Sequence, residues 1–401
     1  MEKYKIRWVY LVIGTISMFF AGVLYAWSVL KAPLGDEFGW GKGPLSLNYT
    51  IAICAFCFSG VLGSILAKKI GYLLTVVIAG VLSGVGFVLA STINSPDQIL
   101  LLYLVYGVVA GCGIGIAYNV VIANINAWFP DKKGFSSGCL MMGFGIGSLV
   151  LGLIAQGWFE TLGWSKVYLI YGVAMGIIII LSGILIRTPS EEFKANSVAA
   201  KVEDSDEGSY TPGKMLSSSL FWRAFIFVAV IVGIGTCTAS FAADLSKFSG
   251  ATGSLPALMA GIFSISNGAF RVVTGIVFDK FGLKKTMMLA SILSIAASLV
   301  LLLTAFTGSI VLCFAALILT GFTCGMGPTN ASILSRDLFG KKYYGTNFGI
   351  MNCNMIVAAG LSYLVGAIYD ATGGYVIQFF IFLGLAVLGM IMNLTIKKKQ
   401  A

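Results

Sequence analysis

About a dozen apolar segments, each near twenty residues long, set the limits on what this chain can fold into. In a bilayer every backbone N–H and C=O must find a partner within the spanning structure, so runs of this length become α-helices. Such runs place helices at 8–30, 45–67, 72–92, 98–122, 135–159 and 166–186, and a second set at 220–243, 255–278, 285–306, 308–333, 346–369 and 375–396. Twelve spans in two sets of six predict an all-α integral membrane protein built from two six-helix bundles. Composition agrees: 58% of the 401 residues are hydrophobic and 10% charged, and the mean hydropathy is +0.94.

The two sets are separated by a polar stretch that holds Pro189, Glu191, Glu192, Lys194, Glu203, Asp204, Asp206, Glu207, Pro212 and Gly213. It is too charged to pack and reads as a linker. The expected organisation is 1–186, a linker at 187–219, and 220–401.

Lys and Arg fix the orientation. The face that holds both termini and the linker carries 21 of the 26, against Lys31, Lys42, Lys166 and Lys247 on the other face. Both termini are therefore expected in the cytoplasm, with the protein in the cell membrane. The first apolar segment is long and lacks a small-residue cleavage site, so it is expected to be retained. The net charge of +10 follows from this topology and calls for no nucleic-acid partner.

The eight cysteines all fall in predicted helices, where they act as small apolar residues. Cys54 and Cys57 form a C-x-x-C, but the chain has no His, and neither a metal site nor a redox cofactor is expected. No catalytic pair or nucleotide-binding loop is visible, so the chain does not read as an enzyme.

The twenty-sixth cation is Arg271, inside the run 255–278, eight positions before Asp279. At the helical rise that is about 12 Å from the polar end of the helix. A charge at such depth is costly and marks a substrate or ion pathway. All sixteen Asp and Glu lie in loops, termini or helix ends, so the sequence offers Arg271 no buried acid. A guanidinium keeps its charge and presents a planar fork that matches a carboxylate.

The halves also echo each other. Between the eighth and ninth helices stands Gly275-x-x-x-Asp279-Lys280-x-Gly282-x-Lys284-Lys285; between the second and third, Ser64, Lys68, Lys69 and Gly71 hold the equivalent positions. Trp128-Phe129-Pro130-Asp131-Lys132-Lys133-Gly134 after the fourth helix matches Leu338 to Gly345 after the tenth. Such duplication is usual in transporters built from paired bundles.

The loop motif resembles that of the major facilitator superfamily. With Tyr25-Ala26-Trp27-Ser28 in the first helix, the 128–134 stretch and Arg271, the chain is similar to the branch of oxalate/formate antiporters and monocarboxylate transporters. The resemblance implies a major facilitator fold and alternating access about a site between the bundles. It gives Asp279, Lys280 and Gly282 a gating role and makes Tyr25 and Tyr118 substrate contacts beside Arg271.

In the animal monocarboxylate transporters an aspartate matches Asn267, and asparagine cannot titrate. In the oxalate exchangers a lysine matches Met355, so this chain has one fixed cation where they have two. The expected substrate is a small monocarboxylate of the lactate, pyruvate or formate type, carried by proton symport or anion exchange. An oxalate/formate-type dicarboxylate exchanger and a transporter of an uncharged solute are the alternatives. Asn119 and Asn354 are further candidate contacts, because an amide in lipid must find a partner. Asp244 is a candidate proton carrier if it turns inward. The expected partners are the carboxylate, a proton or counter-anion, and membrane lipid, with the protein a monomer.

Overall fold

A computed structural model of the full chain describes residues 2–190, 209–253 and 255–396. Most of the predicted linker, 191–208, lies outside the described residues, as do the final lysines 397–399. Among the described residues eleven helices are long and apolar enough to cross a membrane. One of them, Leu258–Thr307, breaks at Gly282 (φ 78°, ψ 177°), where the chain leaves one span and enters the next. Counting that helix as two gives the twelve spans expected.

Contacts divide the chain into two units, 1–205 with 344–353, and 206–343 with 354–401. In the first, the spans are α1 Glu2–Ala21 continued by a 3-10 turn Gly22–Ala26 and α2 Trp27–Phe38; α3 Lys42–Ile70; α4 Tyr72–Ala90; α5 Ile99–Leu102, a π-helical stretch Tyr103–Ala110 and α6 Gly111–Trp128; α7 Lys133–Leu162; and α8 Trp164–Leu185. The second holds the short α9 Pro212–Leu216, then α10 Ser219–Phe248, α11 Leu255–Thr307 and α12 Ile310–Asp337. The predicted helix 346–369 is two pieces, α13 Tyr344–Asn352 and α14 Asn354–Thr372, and α15 Val376–Thr395 follows. The break at Cys353 puts α13 with the first unit and α14 with the second.

Helices in the first unit pack in pairs: α1 on α7, α3 on α6, α4 on α8. Small residues allow backbones to touch, as is general where lipid supplies no hydrophobic drive between helices. A Cβ on Gly147 would meet Phe19 O at 1.9 Å, one on Gly115 Phe56 O at 2.2 Å, and one on Gly84 Gly172 O at 3.0 Å. The second unit repeats the scheme with α10 on α14, the first span of α11 on α12, and its second span on α15, where Asn393 Nδ2 donates to Ser291 Oγ at 3.0 Å.

The repeat extends to backbone angles. Gly71, between the second and third spans, has φ 86° and ψ 166°, close to Gly282 at the matching place. A side chain in that region is strained, so the motif glycine is needed for its geometry in both copies.

The equivalent loops after α6 and α12 each hold one end of the linker. Trp128 Nε1 donates to Arg187 O at 2.8 Å, and Tyr210 N donates to Phe339 O at 2.9 Å. Arg7 is more than a topology signal: Nη1 and Nη2 reach Asp131 Oδ1 and Oδ2 at 2.6 and 3.0 Å, and its guanidinium lies 4.9 Å from the Phe129 ring centre. Asp131 is half open to solvent, which reduces the pair's worth. Asp131→Asn is expected to lower stability by about 1 kcal/mol, read as a modest fall in Tm.

Candidate functional site

The predicted site residues are divided between the units. In the second, Arg271 lies in the first span of α11 and is 4% exposed. Its Nε donates to Asn267 Oδ1 at 3.4 Å, the partner that a four-residue spacing on a helix provides. An amide orients a guanidinium without neutralising it.

Helix α12 clamps this segment. A Cβ on Gly321 would meet Phe263 O at 2.7 Å, and one on Gly325 would meet Asn267 O at 2.2 Å. The Phe270 and Phe322 rings stack at 3.7 Å, and Thr329 Oγ1 donates to Arg271 O at 3.1 Å. The arginine's backbone is therefore fixed by three kinds of contact. Cys324 and Pro328 on α12 are buried, and the Cys324 thiol lies within electrostatic reach of Arg271.

Asn354 begins α14 and is buried, as is Met355 beside it. Asn352 is equally buried but closes α13, so the break places the two amides in different units. Asp279 and Lys280 are exposed at the end of the first span of α11, immediately before the turn at Gly282. Asp244 does not turn inward: its side chain is 67% exposed and pairs with Lys247 at 3.6 Å.

In the first unit Tyr25 and Tyr118 meet the same ring. Phe144 lies 5.1 Å from Tyr25 and 5.0 Å from Tyr118, both edge-on. Tyr118 is buried, with Phe56 at 5.1 Å and Phe348 of α13 stacked at 6.1 Å. Tyr25 is half-buried on the 3-10 turn. Trp27 points elsewhere, its Nε1 donating to Leu45 O at 2.8 Å.

Asn119 fastens helices together. Its Nδ2 reaches Gly60 O at 2.7 Å, Ser64 Oγ at 2.7 Å and Gly345 O at 2.8 Å, joining α6 to α3 and to α13. Two turns further on, the Asn126 amide reaches Ser137 Oγ, Ser136 Oγ and Tyr344 Oη. Ser64, which stands where the loop motif has glycine, thus carries a buried hydrogen bond. Asn119→Ala removes the two N–H groups shared among these acceptors on α3 and α13, at about 1–3 kcal/mol. Faster hydrogen exchange of the α13 amides is the expected readout.

The repeat relates these two regions. Gly60 stands four residues before Ser64 and eleven before Gly71, as Arg271 stands before Gly275 and Gly282. Asn119 and Thr329 each stand nine residues before the matched loops at Trp128 and Leu338. Asn119 donates to the Gly60 carbonyl and Thr329 to the Arg271 carbonyl, the same bond in both halves. Sequence reading found Arg271 through its charge but missed Phe144 and the bonds made by Ser64, Tyr344 and Arg7, which involve partners distant in the chain.

Residues 11–353 and 234–400 match the family model described as Major Facilitator Superfamily. The oxalate:formate antiporter of Oxalobacter formigenes is 27% identical over 345 residues, 86% of this chain and 80% of its own. An uncharacterized MFS-type transporter, YhjX of Escherichia coli, is 25% identical over 86% of this chain and 84% of its own. Monocarboxylate transporter 12 of Rattus norvegicus is 29% identical over 171 residues, 41% of this chain and 34% of its own. Among solved structures, the proton:xylose symporter XylE superposes with a TM-score of 0.78 at 17% identity, covering 98% of this chain and 96% of that one, which establishes likeness of fold.

Proposed function

Because the chain belongs to the major facilitator superfamily, we propose that this transporter carries small monocarboxylate anions of the lactate, pyruvate or formate type by alternating access. The observation that supports this reading is Arg271, buried in the second unit with its backbone clamped by α12 and its side chain oriented by the neutral Asn267. A rigidly held guanidinium in a low-dielectric setting attracts a carboxylate and repels cations. Binding the anion neutralises the site and lowers the cost of enclosing it.

Tyr118 and Tyr25 supply phenol donors, and Asn267 and Asn354 supply amides for a hydroxyl or keto oxygen. In this reading Asn119 acts chiefly through α13, which it holds to α3 and α6. Asp279, Lys280 and the turn at Gly282 form the latch at the inner end of α11. The moving bodies are 1–186 and 220–401, apart from α13, whose contacts lie with the first; a cytoplasmic linker at 187–219 joins them, in the cell membrane with both termini inside. With Asn267 unable to titrate and Asp244 at the surface, the proton either accompanies the carboxylate or is replaced by a counter-anion.

The named activity of the Oxalobacter relative favours a second reading, oxalate exchange. Met355, where the resemblance puts a second cation, argues for the monoanion. Uptake of labelled lactate, pyruvate, formate and oxalate into proteoliposomes, with and without a pH gradient, separates the two. Oxalate outcompeting every monocarboxylate would overturn the first reading. A pH gradient that drives uptake indicates symport; trans-stimulation by internal anion without it indicates exchange.

A further inference from the structure

The second unit holds a cavity of about 590 Å³, lined by the last turns of α10, the end of α14 and the start of α15. Its wall includes the Gln378 side chain, which is fully buried and has no hydrogen-bond partner at Oε1 or Nε2. A buried amide left with both ends unsatisfied is costly. Here it lies in the wall of a space large enough for a ligand. On the rim, one helical turn apart, stand the Asp244 carboxylate and the Lys247 ammonium, 3.6 Å from each other and mostly solvated. Tyr369, Tyr375 and Phe248 supply aromatic walls.

These groups restrict the ligand. A simple anion would be repelled by Asp244 and a simple cation by Lys247, whereas a molecule carrying both charges satisfies each. The amide adds an acceptor for an N–H and a donor for an oxyanion.

The place restricts it further. Phe248 closes one spanning segment, Tyr369 closes another, and Tyr375 precedes a third, so the cavity lies at the level of lipid headgroups, where tyrosine is enriched. Around it Leu364, Ile377 and Phe380 are about half exposed, an apolar surface that suits acyl chains.

We propose that this cavity binds the headgroup of a zwitterionic phospholipid with a primary ammonium, the phosphoethanolamine type. The ammonium donates to Asp244 and Gln378 Oε1, and the phosphate accepts from Lys247 and Gln378 Nε2. A choline headgroup has the same charges but three N-methyl groups in place of its N–H donors, so the site discriminates between two lipids of equal charge. The same chemistry exists in a free zwitterion, O-phosphoethanolamine, and the experiment must separate the two sources.

The test is lipid retention by the purified full chain. Native mass spectrometry in detergent, with phosphatidylethanolamine, phosphatidylcholine and phosphatidylglycerol at equal concentration, should show the ethanolamine lipid retained roughly tenfold over choline, the worth of one charge-assisted hydrogen bond. Gln378→Leu and Asp244→Asn should each abolish that preference while the protein still elutes as a single folded species. Should Gln378→Leu not fold, Asp244→Asn and Lys247→Gln on the solvated rim carry the test. Equal retention of the three lipids, a preference for the glycerol lipid, or a preference that survives the variants overturns the proposal. Complete displacement of the lipid by millimolar O-phosphoethanolamine overturns the lipid assignment in favour of a free solute.

Discussion

Arg271→Gln is expected to reduce monocarboxylate uptake in proteoliposomes by at least a hundredfold. Glutamine keeps much of the length and a hydrogen-bond donor but removes the charge. A charge-assisted, bidentate pair is worth about 3 kcal/mol or more in a desolvated setting, and each 1.4 kcal/mol is about tenfold. Arg271→Lys is the informative companion. It keeps the charge but replaces a planar fork with a point donor on a flexible stem, so uptake should fall between the two, with the loss mainly in apparent affinity. The variants should remain folded, since α12 holds this turn through the Arg271 carbonyl and through Gly321 and Gly325, none of which involves the guanidinium. Wild-type uptake by Arg271→Gln would refute the carboxylate reading. Loss of folded protein in both variants would instead show that the side chain is structural.

Gly147→Val is expected to eliminate folded protein altogether. The Cβ that valine adds would stand 1.9 Å from the backbone oxygen of Phe19, and no side-chain rotation relieves a clash with backbone. Nearby, a Cβ on Gly143 would stand 2.6 Å from Thr15 O and one on Gly22 would stand 2.1 Å from Phe144 O, so α1 and α7 cannot move apart at one point without losing the others. Separating them also pulls Phe144 away from Tyr25 and Tyr118. Membrane interiors gain stability mainly from such close packing, and a contact with backbone at 1.9 Å exceeds the ~1–3 kcal/mol typical of overpacking that side chains can relieve. Gly157→Ala on the same helix meets nothing within 4 Å and should elute and melt like wild type. Fluorescence-detected size exclusion distinguishes the pair; wild-type elution of Gly147→Val would disprove the contact.

Hydropathy made the spans legible because each apolar run must be long enough to cross a bilayer, and the number of residues needed is fixed by the helical rise. The glycine of the loop motif was legible too, since its backbone angles at Gly71 and Gly282 are ones that other residues avoid. The break at Cys353 was not. The run Met351-Asn352-Cys353-Asn354-Met355 contains no glycine or proline, and an average over hydropathy passes through it. The 3-10 turn at Gly22–Ala26 and the π-helical stretch Tyr103–Ala110 escaped for the same reason, being changes of helical phase within apolar sequence. Arg271 announced itself as a charge in the wrong solvent. Asn119 gave only the weaker signal of an amide in lipid, and its three acceptors lie up to 226 residues away, where no local pattern points.

The matched positions Gly60 and Arg271 bear on how such a protein can be altered. Two copies of one frame share a helix-to-helix bond at this point, yet one copy bears no side chain there and the other bears a permanent charge. On the proposed role of Arg271, ligand preference is written into a single copy of a doubled plan, while the other copy keeps that position as plain scaffold. A change of cargo can then begin with one codon, leaving the shared architecture untouched.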